Sequence, residues 1–431
     1  MGTPGVSFTF IHAADLHLDS PFRGLDRADG AVRDRLREST FAALRRLTAL
    51  AKREKADFVV LAGDLYDASD RSLKAQLRLQ RELEELTREG IGIFVVHGNH
   101  DPESGRQAKL ALPEGVHVFG SDEVECFPAF RRDGRLAAHV YGISYPTPSV
   151  SDNLALRFRK REGAPFHLAL LHGNVDGQPG HDNYAPCKLS ELTAAGFDYW
   201  ALGHVHDRRT VHEYPHVVYP GNLQGRSIRE TGPKGAYVVR VSDAGRIEMT
   251  FADLADVVWQ EADVSIAGAY GEQELKDRLA EAAEKARAQA RGRPSVVRFR
   301  LLGSGPLHEE LLSESLADDW VRELREWLGS PEDREDWIWA ESMKIRTSGT
   351  GDELADLPEE DGFIGELVRT GRSAAESPDE SKRLLDEAME ALRHQPKIRQ
   401  WVAGRTDADR EELVSRALSR ALALLIREDQ R

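Results

Sequence analysis

The chain has 431 residues, of which 40% are hydrophobic and 30% charged, and a formal net charge of −15. That length exceeds a single hydrophobic core and predicts two or three domains, and the composition argues against disorder, collagen-like repeats and membrane spanning. The charge is uneven: residues 1–250 hold 32 Lys and Arg against 33 Asp and Glu, the remainder 26 against 40, so a local phosphate site in the first part is not excluded.

No basic-then-apolar leader opens the chain. Cys126 and Cys187 are too few for a disulfide framework or a cysteine-rich zinc site, and read as reduced thiols of a cytoplasmic protein. Up to about residue 255, short apolar runs alternate with helical stretches. Residues 8–13, 58–62, 91–96, 168–171 and 199–202 are expected to be strands buried on both faces. Between them, residues 31–55 and 71–89 carry leucine stripes at helical spacing (Leu36, Leu44, Leu47 and Leu50; Leu73, Leu77, Leu83 and Leu86). The alternation predicts a layered α/β domain, with residues 216–219 and 236–241 as antiparallel strands closing the sheet.

After Asp253 the pattern changes. Residues 257–266, 296–302 and 337–346 read as strands, with helices over 272–290 and 308–328. The expected organisation is a catalytic domain over 1–256, a smaller α+β domain over 257–346, an acidic linker over 347–361 and a helical tail over 362–431.

The chemistry lies at the strand ends. The first strand runs into Asp15-Leu16-His17, the second into Gly63-Asp64-Leu65-Tyr66-Asp67, and the third into Gly98-Asn99-His100-Asp101. His172 and Gly203-His204-Val205-His206 follow the fourth and fifth. Open α/β sheets place ligand sites at this edge. Carboxylate, imidazole and amide oxygen without thiolate suit two divalent ions, which at roughly 3.5–4 Å apart clamp a phosphoryl group. Asp15 and Asp64 offset only part of the ionic charge and leave a cationic pit for a phosphodiester.

These motifs resemble the calcineurin-like metallophosphoesterases. Ala13-Ala14-Asp15-Leu16-His17, the run from Asp198 to His204, the run from Tyr219 to Gly225 and Glu230-Thr231-Gly232-Pro233-Lys234-Gly235 resemble the DNA-repair exonuclease branch, which includes the SbcD and meiotic-recombination-eleven nucleases and YhaO-type proteins. The resemblance implies an α/β/β/α sandwich with a capping domain. It also implies one metal on Asp15, His17 and His206, another on Asn99, His172 and His204, Asp64 as the bridge, and Mn2+ as the ion. His100 matches the non-ligand catalytic histidine. Asp67 stands where some members have a second one.

Other positions carry weaker expectations. His12 and His97 read as core histidines, and Cys187 as packing. His181, Asn222 and Arg226 are candidates for substrate contact, as are Arg298 and Arg300 on the basic face of a capping-domain strand. The leading function is a two-metal DNA nuclease; the alternatives are a phosphatase or small-molecule phosphodiesterase, and a non-catalytic scaffold subunit. The expected partners are DNA, a second copy of the chain through the leucine helices, and an SbcC-like coiled-coil ATPase. The ATPase would dock on the tail, where Leu384, Leu385, Ala388 and Leu392, then Leu413, Val414, Ala417, Leu418, Ala421, Leu422 and Leu425, form apolar stripes.

Overall fold

The computed structural model describes residues 7–22, 30–67, 72–105, 110–177, 182–312, 314–329, 332, 334–349, 362–392, 395–411, 413–415, 417–418 and 421. It divides into two compact units. The first comprises Met1–Glu261 with Ala286–Val297 and Leu328–Glu341; the second comprises Ala262–Lys285, Arg298–Trp327 and Ser342–Arg431.

Two six-stranded sheets form the first unit. Strands β1 (Phe8–Ala13), β2 (Phe58–Ala62), β3 (Gly92–Val96) and β4 (Val116–Val118) run parallel. Beside β1 lie β11 (Gly235–Val241) and then β12 (Ile247–Asp253), each antiparallel to its neighbour. The second sheet runs β5 (Glu125–Phe130), β6 (Leu136–Gly142), β7 (His167–His172), β8 (Tyr199–Gly203), β10 (His216–Tyr219) and β9 (Arg209–Glu213). Residues 216–219 are therefore not an antiparallel closing strand as expected: β10 pairs parallel to β8 and antiparallel only to β9. The central strands are buried along their whole length, and their continuous apolar runs suit burial between layers.

The inner faces of the sheets meet in an aromatic layer. Phe8, Phe10, Phe58 and Phe94 from one sheet pack with Phe166, Leu168, Leu170 and Tyr199 from the other, and the Phe10 and Phe58 rings stack at 5.2 Å. The outer face of the first sheet is covered by α1 (Gly30–Arg53) and α2 (Leu73–Arg88). Ser72 starts α2 by accepting the Ala75 N–H at 3.0 Å. Of the expected stripes, Leu44, Leu47, Leu50, Leu83 and Leu86 enter this layer and cover the chain's own sheet, Leu36 is buried in a neighbouring cluster, and Leu73 is 56% exposed. Across the second sheet, α3 (Leu189–Ala194) and the turn Leu154–Arg157 complete an α/β/β/α sandwich around Phe158, Phe197 and Trp200.

Strands β13 (Val258–Ser265), β14 (Ser295–Ser304) and β15 (Ile338–Ser348) form a three-stranded sheet, and α4 spans Glu272–Ala290. The expected single helix over 308–328 is two, α5 (His308–Leu311) and α6 (Glu314–Trp327); the Leu312 N–H turns back to the Glu309 and Glu310 carbonyls where the first ends. In the tail, α7 (Phe363–Glu376), α8 (Pro378–Ala388) and α9 (Pro396–Ala403) follow. Residues 350–361 of the expected linker, and Leu422 and Leu425 of the last stripe, lie outside the described residues. No helix among the described residues is long and apolar enough to cross a membrane.

The aromatic layer fixes the spacing of the two sheets. Phe58→Ala is expected to cost about 3–5 kcal/mol, measured by urea unfolding, because Phe58 is fully buried and its neighbours belong to rigid strands.

Candidate metal centre

The C-terminal ends of β1, β2, β3, β7 and β8 converge on one pit. Its loops are knotted by backbone bonds: Asp15 N–H to Gly63 O at 3.1 Å, His17 N–H to Asp64 O at 2.9 Å and Gly173 N–H to Gly203 O at 3.2 Å. Asp15, His17, Asp64 and His204 all adopt left-handed backbone, with φ of 51°, 42°, 51° and 99°. Non-glycine residues rarely accept that geometry, and it gathers at functional sites. Glycines make room for the side chains. A Cβ on Gly98 would lie 2.4 Å from Asp64 Oδ1, and one on Gly63 would lie 2.4 Å from His172 Nδ1.

Two groups of donors face each other across Asp64. On one side, Asp15, His17 and His206 come together, with His17 Nε2 and His206 Nε2 3.2 Å apart and His17 Nε2 3.8 Å from Asp64 Oδ2. On the other, His172 Nε2 lies 3.0 Å from Asn99 Oδ1 and 3.4 Å from Asp64 Oδ2, and His204 Nδ1 lies 3.2 Å from Asn99 Oδ1. The ring tautomers follow from the outer bonds. Carbonyl oxygen only accepts, so His172 Nδ1–H donates to Ala62 O at 2.9 Å and His204 Nε2–H donates to Asp182 O at 2.7 Å. His206 Nδ1–H likewise points at Glu230 Oε1, 2.8 Å away. In their neutral forms His172, His204 and His206 then turn lone pairs inward, beside the Asn99 amide oxygen and the carboxylates of Asp15 and Asp64. That donor set fits divalent cations.

Electrostatics agree. Burial alone would lower the His172 imidazole, but the Asp64 carboxylate beside it lifts the ring to about 9. Burial, aided by the charge of Asp64, pushes Asp15 up to about 6 against the pull of His172 and His206. Asp64 is held well below the carboxylate range despite its burial, because His172 and His17 flank it. The cluster demands positive charge at its centre.

His100 stands apart from both donor groups in its outer bond. Its Nδ1 lies 2.5 Å from Asp67 Oδ1, its side chain is 38% exposed where His17 and His172 are fully buried, and its backbone N–H donates to Asp64 Oδ1 at 2.8 Å. Burial opposes a charge on the ring, yet the Asp67 bond and the Asp64 charge hold it above the usual imidazole value. His17, Asp67 and His100 also lie close enough to share a cation.

The remaining candidates separate. Asn222 is buried rather than a solvated loop residue: its Nδ2 donates to Gln224 O at 2.8 Å and Glu230 Oε2 at 2.9 Å. Arg226 lies at the site, 3.3 Å from Asp67 Oδ2. His181 lies outside the described residues. In the second unit, Arg298 Nε donates to Ser342 Oγ at 2.9 Å, and Arg300 pairs with Asp263 at 2.5 and 2.8 Å, so the basic face expected on β14 is partly neutralised by its neighbour strand. His12 is a core histidine, held by Tyr199 Oη at 3.1 Å and Leu202 O at 3.2 Å.

Two residues that the sequence shows only as parts of motifs, with no role of their own, act at the site. Asp101 is fully buried and accepts the N–H groups of Asp64, Leu65 and Gly98, tying the loops after β2 and β3 together. Glu230 orients His206 from a loop with no periodic signal. Burial would raise its carboxyl, but His206 and Arg226 hold it far below the usual range. Glu230→Gln is therefore expected to weaken binding of one of two Mn2+ ions by about 10–100-fold in isothermal titration calorimetry, since a partner that fixes a ligating imidazole tunes its basicity.

The chain is similar to proteins of one family along most of its length. The calcineurin-like phosphoesterase family matches residues 8–208, and the middle domain of the metallophosphoesterase YhaO matches residues 259–348. The uncharacterized metallophosphoesterase YhaO of Bacillus subtilis is 39% identical over 394 residues, 91% of each chain. The DNA double-strand break repair protein Mre11 of Methanopyrus kandleri is 25% identical over 89% of this chain and 81% of its own length. Among solved structures, a dimetal phosphatase from Danio rerio aligns with 58% of this chain and 100% of its own at 15% identity and a TM-score of 0.35. With 39% identity along nearly its whole length, the chain belongs to the calcineurin-like metallophosphoesterases of the YhaO type.

Proposed function

We propose that the protein is a DNA nuclease that hydrolyses phosphodiester bonds with two divalent ions, Mn2+ foremost. Metal-dependent phosphoester hydrolysis is the chemistry of its family. The observation that carries the finer reading is the likeness to a DNA double-strand break repair protein, which spans 89% of the chain and so reaches beyond the sandwich. Bound ions would supply Lewis-acid activation of the phosphoester and of water. Asp15, His17 and His206 would hold one and Asn99, His172 and His204 the other, with Asp64 between them.

The chain's own residues do the rest. The Asp67 carboxylate accepts a hydrogen bond from His100 Nδ1–H, which leaves Nε2–H as the protonated ring's other donor. Held above its usual proton affinity and reachable from solvent, that imidazole donates a proton to the leaving oxygen. Asp101 and the glycines keep the loops from drifting. A phosphatase acting on small esters is the second reading, supported by the same calcineurin-like phosphoesterase family match.

The partners belong to the same proposal. The tail carries exposed Phe363, Leu384, Leu392 and Trp401, which suit docking against an SbcC-like ATPase. A homodimer would have to use a surface other than the buried leucines of α1 and α2. The cytoplasm is the matching compartment.

Cleavage of end-labelled DNA, measured beside turnover of p-nitrophenyl phosphate, tests the substrate. The nuclease reading expects DNA cleavage; monoester turnover without it would leave the phosphatase. His100→Ala is expected to lower kcat by about 10²–10⁴ with both ions retained in elemental analysis, whereas Asp64→Ala loses both. Phe363, Leu384 and Trp401 changed together to Asp are expected to abolish co-purification with the ATPase while DNA cleavage persists; retained co-purification would move the docking surface elsewhere.

A further inference from the structure

The loop after β10 places Arg226 between two carboxylates. Its Nη1 reaches Ser20 Oγ at 3.1 Å and Asp67 Oδ2 at 3.3 Å, and its Nη2 reaches Glu230 Oε1 at 3.4 Å. The backbone N–H of Arg226 donates to Glu230 Oε2 at 2.7 Å, and Ser20 Oγ itself donates to Asp67 Oδ2. The side chain is only 16% exposed. Each carboxylate uses another contact on an imidazole: Asp67 Oδ1 on His100 at 2.5 Å, and Glu230 Oε1 on His206 at 2.8 Å. One guanidinium therefore links the carboxylate that aims the proton donor to the carboxylate that aims a metal ligand.

Charge decides what this group can do. A phosphate clamp presents its fork to the substrate, but both arms of this fork already face carboxylates of opposite charge. Removing it would leave Asp67 and Glu230 in one partly buried pocket with only the His100 and His206 rings against their charge. Lys could satisfy one carboxylate and would leave the other, because it is a point charge rather than a planar fork.

We propose that Arg226 is a positioning residue, which fixes the orientation of His100 through Asp67 and of His206 through Glu230 and does not itself bind the substrate phosphate. This rests on phosphoester hydrolysis alone and holds whether or not the substrate is DNA. It replaces the expectation that Arg226 contacts substrate.

The test uses the full chain with Mn2+ and bis(p-nitrophenyl) phosphate, and compares Arg226→Gln, Asp67→Asn and the double variant. Arg226→Gln is expected to lower kcat about 10–100-fold with KM little changed. The loss in the double variant should fall short of the product of the two single losses, because the residues act in one chain. Arg226→Lys should not restore kcat, whereas added guanidinium should partly restore it in Arg226→Ala. Imidazole NMR of the metal-free protein gives a readout without turnover: the fixed Nδ1–H tautomer of His100 should be lost in Arg226→Gln, and in Arg226→Lys if the Gln variant does not fold. A raised KM at unchanged kcat, multiplying losses, or an unchanged His100 tautomer would each overturn the proposal. Ester turnover without DNA cleavage would instead sink the nuclease reading and leave this comparison standing.

Discussion

Two hydrogen bonds between the sheets hold the site together. His172, the last residue of β7, donates from Nδ1 to the carbonyl of Ala62, the last residue of β2. The backbone N–H of His204, just past β8, donates to the Asp15 carboxylate just past β1, with both oxygens at 3.1 Å. Each bond joins one sheet to the other at the edge where the loops carry ligands. They need close approach: a Cβ on Gly203 would stand 1.8 Å from Ala62 O. The aromatic layer sets the distance between sheets, the glycine permits contact at the edge, and the His172 bond then fixes which of its ring nitrogens faces inward while the His204 bond holds the Asp15 carboxylate in place. Sheet packing and ligand tautomer are one constraint.

That constraint concentrates charge in a dry place. Asp15 and Asp64 are each 1% exposed, and a buried carboxylate is costly unless its lone pairs are met. Part of the demand is met by the N–H groups of His204 and His100 and by flanking imidazoles. The rest fits divalent cations, for which neutral imidazole nitrogens and carboxylate oxygens are suitable ligands. The left-handed conformations of Asp15, His17, Asp64 and His204 are strain held in place by this network. The more exposed side of the pit is different in kind. There Asp67, His100, Arg226 and Glu230 are joined by charged contacts instead of being packed around one carboxylate.

Much of this was legible in the sequence because the central strands are buried on both faces. A continuous apolar run ending in Asp, His or Asn announces both a strand and its functional edge, and β1, β2, β3, β7 and β8 could each be read so. The edge strands could not. The exposed alternation of β12, the polar Arg209–Glu213 of β9 and the Pro128 within β5 carry no such run. The leucines of α1 and α2 were visible as stripes, but spacing cannot say whether a stripe faces a sheet or a second copy. Asp101 and Glu230 were invisible as functional residues for a related reason. Besides a local backbone bond, each acts on backbone or ligand atoms distant in sequence, and no local pattern marks a carboxylate that will also accept from a loop 36 residues away.

The central claim is that two groups of donors flank a bridging Asp64 while His100 stays outside them. A crystal structure of the protein with Mn2+, with anomalous scattering measured at the manganese edge, tests it most directly. The account predicts two anomalous peaks sharing Asp64, one beside Asp15, His17 and His206 and one beside Asn99, His172 and His204, with the His100 ring bonded to Asp67. A single peak, or a peak ligated by His100, would contradict it.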